Sequence, residues 1–366
     1  MVKAEEFDDD KFIAGLVKQL DDDTNIAADC AHSSEFTGYM DTGSYSLNAL
    51  LSGSIYGGTP NNKTLAFAGE TTTGKTFFVL GIAKNFLDAN PTGWVLYFDT
   101  ESAVTTAMLM ERGIDVKRFI ISEPETVQQW KTKALKFLES YMAAPEDKRM
   151  PFLMILDSLG NLSTTKELED SMAGSEKKDM TRPGAIRAAF RTVRLKMAKA
   201  KVPMLITNHT YAAIGTMYPT QEISGGGGMK YASDTIALLS KRQDKDGNET
   251  IGSVIHIMLW KSRLTREKQR VDVLLNHRTG LDRYYGLLEI AEKHDVVKKV
   301  HVGKVDKYEF PDGRRVFASA VRAEPEKFYT QEVLCAIDNA CTKQFKYGQE
   351  DDRPVTATEE TEEEAA

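Results

Sequence analysis

Cysteine is scarce in this sequence: Cys30, Cys335 and Cys341 are the only three in 366 residues. An odd count without metal-ligand spacing excludes a disulfide framework and a cysteine-bound metal, and it reads as reduced thiols. Long apolar runs are also lacking. The longest, such as Pro151–Leu156 and Val254–Trp260, fall far short of the ~20 residues that a bilayer-spanning helix needs. The acidic N-terminal stretch has neither the basic nor the apolar part of a signal peptide. These absences lead to the expectation of a cytoplasmic protein with no membrane partner.

What is present suits one large α/β domain with small appendages, since 41% of the residues are apolar. The net charge of −7 is unevenly spread: Met1–Asp23 carries −5 and Gln349–Ala366 carries −7, which leaves +5 on the body. The low overall pI therefore does not exclude a polyanionic partner. The tail reads either as a solvated, disordered segment or as an internal competitor for a basic groove.

Gly69-Glu70-Thr71-Thr72-Thr73-Gly74-Lys75-Thr76 is the most informative stretch. It fits G-x-x-x-x-G-K-[ST], in which glycines let successive backbone N–H groups point at phosphates. Lys75 then neutralises their charge and the Thr76 hydroxyl ligates Mg²⁺. Leu65–Ala68 before it reads as a buried strand and Phe77–Leu87 after it as an apolar helix, the setting that the motif requires. The pattern predicts a bound nucleoside triphosphate.

Strand and helix patterns then alternate. Strands are expected at Thr64–Ala68, Trp94–Asp99, Phe119–Ile121, Phe152–Asp157 and Met204–Asn208, with helices at Thr76–Leu87, Thr105–Arg112, Glu125–Met142 and Pro183–Lys199. Such alternation means a mostly parallel sheet covered on both faces. Later strands are expected around Thr235–Lys241, Ser253–Lys261 and Arg270–Asn276, where Asp246-Gly247 signals a hairpin and hence antiparallel strands at one end. No internal repeat is apparent. Near the N-terminus, Phe12, Ile13, Leu16, Val17 and Leu20 line one face of a short amphipathic helix flanked by Asp triplets. It would pack either on its own core or, through a polar linker, on a neighbouring subunit.

Three strand tips carry polar groups. Asp157 ends an apolar strand, the Walker B arrangement that holds a Mg²⁺-bound water opposite Thr76. Glu101 lies two residues past Asp99, at the end of the strand that follows the phosphate-loop helix, and reads as the water-positioning base or, alternatively, as a helix-start acid favoured by the dipole. Thr207-Asn208-His209 ends a third strand and leads into a long loop, Thr210–Gly228, closing in Gly225-Gly226-Gly227-Gly228. A second long polar loop, Asn161–Arg182, carries Lys166, Lys177, Lys178 and Arg182. Two such loops from one sheet edge are uncommon without a function.

At these residues the chain resembles the RecA-type recombinases, in particular their phage branch. The likeness runs from about Thr42 to Arg283 and is densest over Ile155–Leu162, Thr207–Tyr211, Tyr231–Thr235 and Lys261-Ser262-Arg263. The resemblance implies a RecA-like ATPase core at residues 44–280, preceded by an N-terminal helix and protomer-docking linker (1–43). A small C-terminal lobe (281–348) and an acidic disordered tail (349–366) would follow.

The resemblance further implies an ATP-dependent DNA recombinase that forms a helical filament on single-stranded DNA, with ATP between protomers, and exchanges strands with a homologous duplex. In a phage infection its place would be the host cytoplasm. Glu101 would activate water, His209 would stand at the γ-phosphate-sensing position, and Lys261 and Arg263 would reach a neighbour's phosphates. An ordinary solvated cationic turn is the other reading of Lys261-Ser262-Arg263. Met108 stands where the family tends to have a tyrosine near the adenine. The two loops would contact DNA through Lys166, Lys177, Lys178, Arg182, Met217 and Gly225–Gly228, the apolar Met217 wedging between bases. A single-strand-binding protein and a recombination mediator are further partners that the family implies. A RecA-fold hexameric helicase shares the phosphate loop and Glu101, and a non-catalytic ATP-gated mediator is a third reading. The Lys-x-Arg pair favours the filament over the helicase's arginine finger, and the retained Glu101 argues against a mediator that only binds ATP.

Overall fold

A computed structural model describes residues 16–18, 36–175, 179–212, 221–223, 227–246, 249–276, 278–302 and 305–348. It divides into two units, Met1–Glu35 and Phe36–Ala366. In the first, Leu16 and Val17 are helical; the rest of the expected amphipathic helix lies outside the described residues, as do Cys30 and the acidic tail.

The described residues of the second unit hold fifteen strands. A small ribbon pairs β1 (Tyr39–Met40) with β2 (Thr59–Pro60). The central sheet contains β3 (Thr64–Gly69), β4 (Trp94–Asp99), β5 (Phe119–Ser122), β6 (Phe152–Asp157) and β7 (Met204–Ala212), with β8 (Gln221–Ile223), β9 (Thr235–Asp246), β10 (Glu249–Lys261), β11 (Arg270–Asn276) and β12 (Gly280–Leu281). Its order is β12-β11-β10-β9-β3-β7-β6-β4-β5, with β8 pairing β7. β9, β3, β7, β6, β4 and β5 run parallel, whereas β10, β11 and β12 are antiparallel additions. β9 and β10 form the expected hairpin, with Asp246 opposite Glu249. A further sheet of three strands, β13 (Lys298–Val302), β14 (Val305–Glu309) and β15 (Arg315–Val316), lies near the C-terminus.

Helices α1 (Tyr45–Ser52), α2 (Lys75–Ala89), α3 (Thr106–Glu111), α4 (Val127–Ala143), α5 (Thr165–Met172), α6 (Arg182–Ala200) and α7 (Gly227–Ala232) are interspersed with these strands in the chain. α8 (Leu287–Lys293), α9 (Ala318–Ala323), α10 (Pro325–Phe328) and α11 (Gln331–Phe345) follow. Parallel strands covered on both faces need apolar residues at every position, and β3 reads Thr-Leu-Ala-Phe-Ala-Gly, buried throughout. Period-two alternation divides the core between the two faces. Leu65, Phe67, Val95, Tyr97, Leu153 and Ile155 pack with α2 on one face. Ala66, Ala68, Leu96, Phe98, Met154 and Leu156 pack with α4 and α6 on the other. There the Trp130 and Phe190 ring centroids lie 4.7 Å apart.

Two expectations are corrected. Asn161–Arg182 is not all loop: Thr164 and Glu167 form a reciprocal capping box that starts α5 within it. Residues 281–348, expected as a lobe of their own, share a core with the rest. Val297, Phe310, Ile337, Cys341 and Phe345 belong to the same buried cluster as Leu47 and Leu50 of α1. The Asp338 carboxylate accepts from Ser54 Oγ at 2.7 Å and the Ile55 amide at 2.8 Å, and Thr342 Oγ1 donates to the Gly53 carbonyl at 3.0 Å. α11 thus closes the first face.

Candidate nucleotide site and nucleic-acid segments

Parallel strands end at a common edge, and four of those ends build the site. Gly69 of β3 is in register with His209 of β7, and Asp99 of β4 with Asp157 of β6. Gly69 must be glycine, because a Cβ there would meet the Leu239 carbonyl at 2.6 Å and Thr73 Oγ1 at 2.8 Å. The loop then turns through left-handed backbone at Thr72 (φ 68°) and Gly74 (φ 90°) before α2 begins at Lys75. Inside the turn Lys75 Nζ donates to the carbonyls of Gly69 (2.9 Å) and Glu70 (2.8 Å). Burial lowers the Lys75 pKa, while the carboxylates of Glu101 and Asp157 oppose the shift.

Asp157 is buried and accepts from three hydroxyls. Thr76 Oγ1 (2.7 Å) and Tyr97 Oη (2.6 Å) share its Oδ2, and Thr207 Oγ1 bonds its Oδ1. Burial, then the neighbouring Asp157, pushes the Tyr97 phenol far above its ordinary pKa, which keeps it a donor.

Glu101 sits beside this group. Asp99 accepts from the amides of Glu101 (3.0 Å) and Val104 (3.2 Å), shaping the turn that presents it. The Thr100 amide donates to the Asp157 carbonyl at 2.9 Å, and the Ser158 amide donates to Thr100 Oγ1 at 2.8 Å, so the tips of β4 and β6 are tied. Glu101 Oε1 accepts from Ser158 Oγ at 2.7 Å and lies 3.0 Å from His209 Nε2. Burial raises the Glu101 pKa, but the bonds from Ser158 and His209 and the charge on Lys75 outweigh it, leaving the carboxyl below its ordinary value.

Hard oxygen donors at Thr76 and Asp157, next to a loop of backbone N–H groups, fit a Mg²⁺–triphosphate. Mg²⁺ takes one or two protein oxygens and completes its shell with water and phosphate. No group of three or more His, Cys, Asp or Glu suited to a metal occurs among the described residues.

Sequence reasoning brought Lys75, Thr76, Glu101, Asp157 and His209 together, as the structure does. It named Thr207 only as part of a polar strand tip, without a partner, and missed Tyr97, Ser158 and Lys241. The Lys241 ammonium, from β9, donates to the Thr72 carbonyl (2.9 Å) and Oγ1 (2.7 Å) and grips the loop apex. A polar residue in an apolar strand was the available signal for Tyr97 and Thr207; none existed for Lys241.

Lys261 and Arg263 lie elsewhere. Lys261 pairs with Ile236, which is level with Ala66 near the start of β3, so both residues stand toward the sheet edge opposite the phosphate loop. Lys261 Nζ donates to the carbonyls of Lys230 and Ser233, each at 2.6 Å, and Arg263 lies 3.4 Å from Asp234. Burial, then Arg263 and Arg194, lowers the Lys261 pKa. Met108 is partly buried against the first core face.

Of the residues expected at DNA, Lys166 is exposed on α5. Arg182 instead donates to the carbonyls of Gly160 (2.6 Å) and Leu162 (3.1 and 3.0 Å), which fixes the start of the 161–182 segment. Gly227 opens α7, and a Cβ at Gly228 would meet Ile186 Cγ2 at 2.6 Å, so this glycine lets α7 approach α6. Lys177, Lys178, Met217, Gly225 and Gly226 lie outside the described residues. β7 runs on to Ala212 and pairs with β8, giving the second segment a hairpin base.

Fold and site together define an α/β protein with a glycine-rich phosphate loop at the tip of a central parallel strand. The RecA N-terminal domain family matches residues 17–282, and the chain belongs to that family. It is 30% identical over 245 residues to the "Recombination and repair protein" of Enterobacteria phage T4, covering 67% of this chain and 61% of that protein. It is also 26% identical over 291 residues to "Protein RecA" of Chloroherpeton thalassium, covering 79% of this chain and 75% of that one. "Protein RecA" of Thermotoga petrophila is 25% identical over 246 residues, 66% and 65% of the two chains. The matched part thus spans about three-fifths of the phage relative's length. No described helix is long and apolar enough to cross a membrane.

Proposed function

We propose that this chain is an ATP-dependent DNA recombinase, which assembles as a filament on single-stranded DNA and exchanges strands with a homologous duplex. The observation that carries the reading is the placement of Glu101 and His209 3.0 Å apart beside Lys75 and Asp157. A water-positioning acid is thereby joined to the strand that leads into residues 213–220. Membership in the RecA family supports recombination over other uses of such a site.

ATP is the substrate. The loop amides and Lys75 bind its phosphates; Thr76 and Asp157 would hold a Mg²⁺ ion, which when bound would supply charge neutralisation at the phosphate oxygens. Glu101 orients a water and takes its proton as the water oxygen bonds to the γ-phosphorus, and the bond to the bridging oxygen breaks with its electron pair leaving on the nucleotide. His209 shares Glu101 Oε1 with Ser158, so changes at the phosphate reach β7 and the segment beyond it. In this reading Lys261 and Arg263, free of their own phosphate loop, serve a neighbouring protomer. Segments 161–182 and 210–228 meet DNA, with Arg182 holding the first in place.

Strand exchange between a labelled duplex and a matching single strand tests the reading. Exchange that needs both ATP and homology supports it. Homology-independent unwinding of a forked duplex would favour a helicase, and ATP-gated DNA binding with neither activity a mediator.

A further inference from the structure

We propose that Tyr97 is a positioning residue for the divalent-cation site, its hydroxyl fixing the Asp157 carboxylate in the orientation that Thr76 and the cation need. The inference rests on the assignment of Thr76 and Asp157 to that cation. A free carboxylate rotates about Cβ–Cγ. Here donors from three separate elements remove that freedom: Thr76 of α2 and Tyr97 of β4 on Oδ2, and Thr207 of β7 on Oδ1.

Position 97 faces the first core, where its strand neighbour on the same face, Val95, is apolar. The Tyr97 side chain is wholly buried, with its ring centroid 5.5 Å from that of Phe119. Phenylalanine would fill this space without a polar atom to desolvate, so packing alone does not account for a hydroxyl there. Among the described residues its hydroxyl donates to Asp157 Oδ2, at 2.6 Å. Held by a packed ring, that hydroxyl has no freedom to follow a moving carboxylate, so the carboxylate conforms to it. Thr76 can then present its oxygen to a cation while still donating to Oδ2.

Outer partners of metal-site groups set affinity as well as geometry, and losing one typically costs about 10- to 100-fold in affinity or activity. The test uses the full chain with four substitutions: Tyr97→Phe, Thr207→Val, Thr207→Ser and Asp157→Asn. Mn²⁺ is titrated in the presence of ADP with free Mn²⁺ read by electron paramagnetic resonance, and a fluorescent ADP is bound separately in EDTA. Tyr97→Phe is expected to weaken Mn²⁺ binding by about 10-fold with metal-free ADP affinity unchanged. Thr207→Val should behave likewise and Thr207→Ser as wild type, which keeps the test open if the tyrosine variant folds poorly. Unchanged Mn²⁺ affinity in Tyr97→Phe overturns the inference, and so does an equal loss of metal-free ADP binding. If Asp157→Asn also leaves Mn²⁺ affinity intact, the cation assignment itself fails; a loss confined to Asp157→Asn sinks the Tyr97 role alone.

Discussion

Replacing Glu101 by glutamine separates water activation from everything else this residue does. The glutamine oxygen still accepts from Ser158 Oγ and His209 Nε2, which lie 2.7 and 3.0 Å from Glu101 Oε1. What disappears is the charge and the capacity to take a proton. A positioned general base contributes about 10²- to 10⁴-fold, or roughly 2.7–5.4 kcal/mol of barrier at about 1.36 kcal/mol per decade. DNA-stimulated phosphate release at saturating ATP should therefore fall by two orders of magnitude or more, while binding of a fluorescent ATP analogue persists.

The pH dependence has a definite sign. Although burial acts to raise the Glu101 pKa, its hydrogen bonds and Lys75 hold it below the ordinary value. The charged form therefore contributes stability above the unfolded carboxylate pKa, and this is lost as pH falls through the lower folded value. Wild type and Glu101→Gln should accordingly keep a constant stability difference near neutrality, one that shrinks only in acid. Turnover within about tenfold of wild type, or ATP binding lost in step with turnover, would refute the assignment of Glu101 as the base.

Three other substitutions probe separate parts of the molecule, and a fourth, Tyr97→Phe, is set out above. Thr164→Ala removes the α5 cap and the 2.6 Å bond to Asp179. It should cost about 1 kcal/mol, seen as faster amide exchange in 165–172 with ATP binding intact; unchanged exchange would contradict the cap's role. Lys241→Met releases the loop apex at Thr72. For one exposed charge-assisted contact the expected loss of nucleotide affinity is about 2- to 10-fold, measured by titration, and no loss would reduce Lys241 to a surface residue. Ile337→Ala opens a cavity in the core shared by α11 and α1. It should lower a single urea transition by about 2–5 kcal/mol, whereas two transitions with one displaced would show that 281–348 has a core of its own.

Much of the fold was legible because the signals were local. Fully apolar runs such as Leu65–Ala68 and Leu153–Leu156, separated by helical patterns, announce buried parallel strands. Trp94–Asp99, Phe152–Asp157 and Arg270–Asn276 match their expected bounds. The miss at 161–182 was also local: Thr164-x-x-Glu167 is a capping box that marks a helix start in sequence. The expected break at residue 280 had no such remedy, since nothing local records that Ile337 and Phe345 pack with Leu47 and Leu50.

The same division runs through the site. By itself the sequence determined that a phosphate loop exists, that a helix follows it, and that Asp157 ends an apolar strand, because each depends on a contiguous stretch of backbone. Tertiary structure alone decided that Tyr97 and Thr207 share Asp157, that Ser158 and His209 share Glu101, and that Lys241 grips Thr72. These partners stand 50 to 169 residues apart in the chain. They meet because the order β9-β3-β7-β6-β4 brings parallel strand ends to one edge, and strand order is set by how the whole sheet packs.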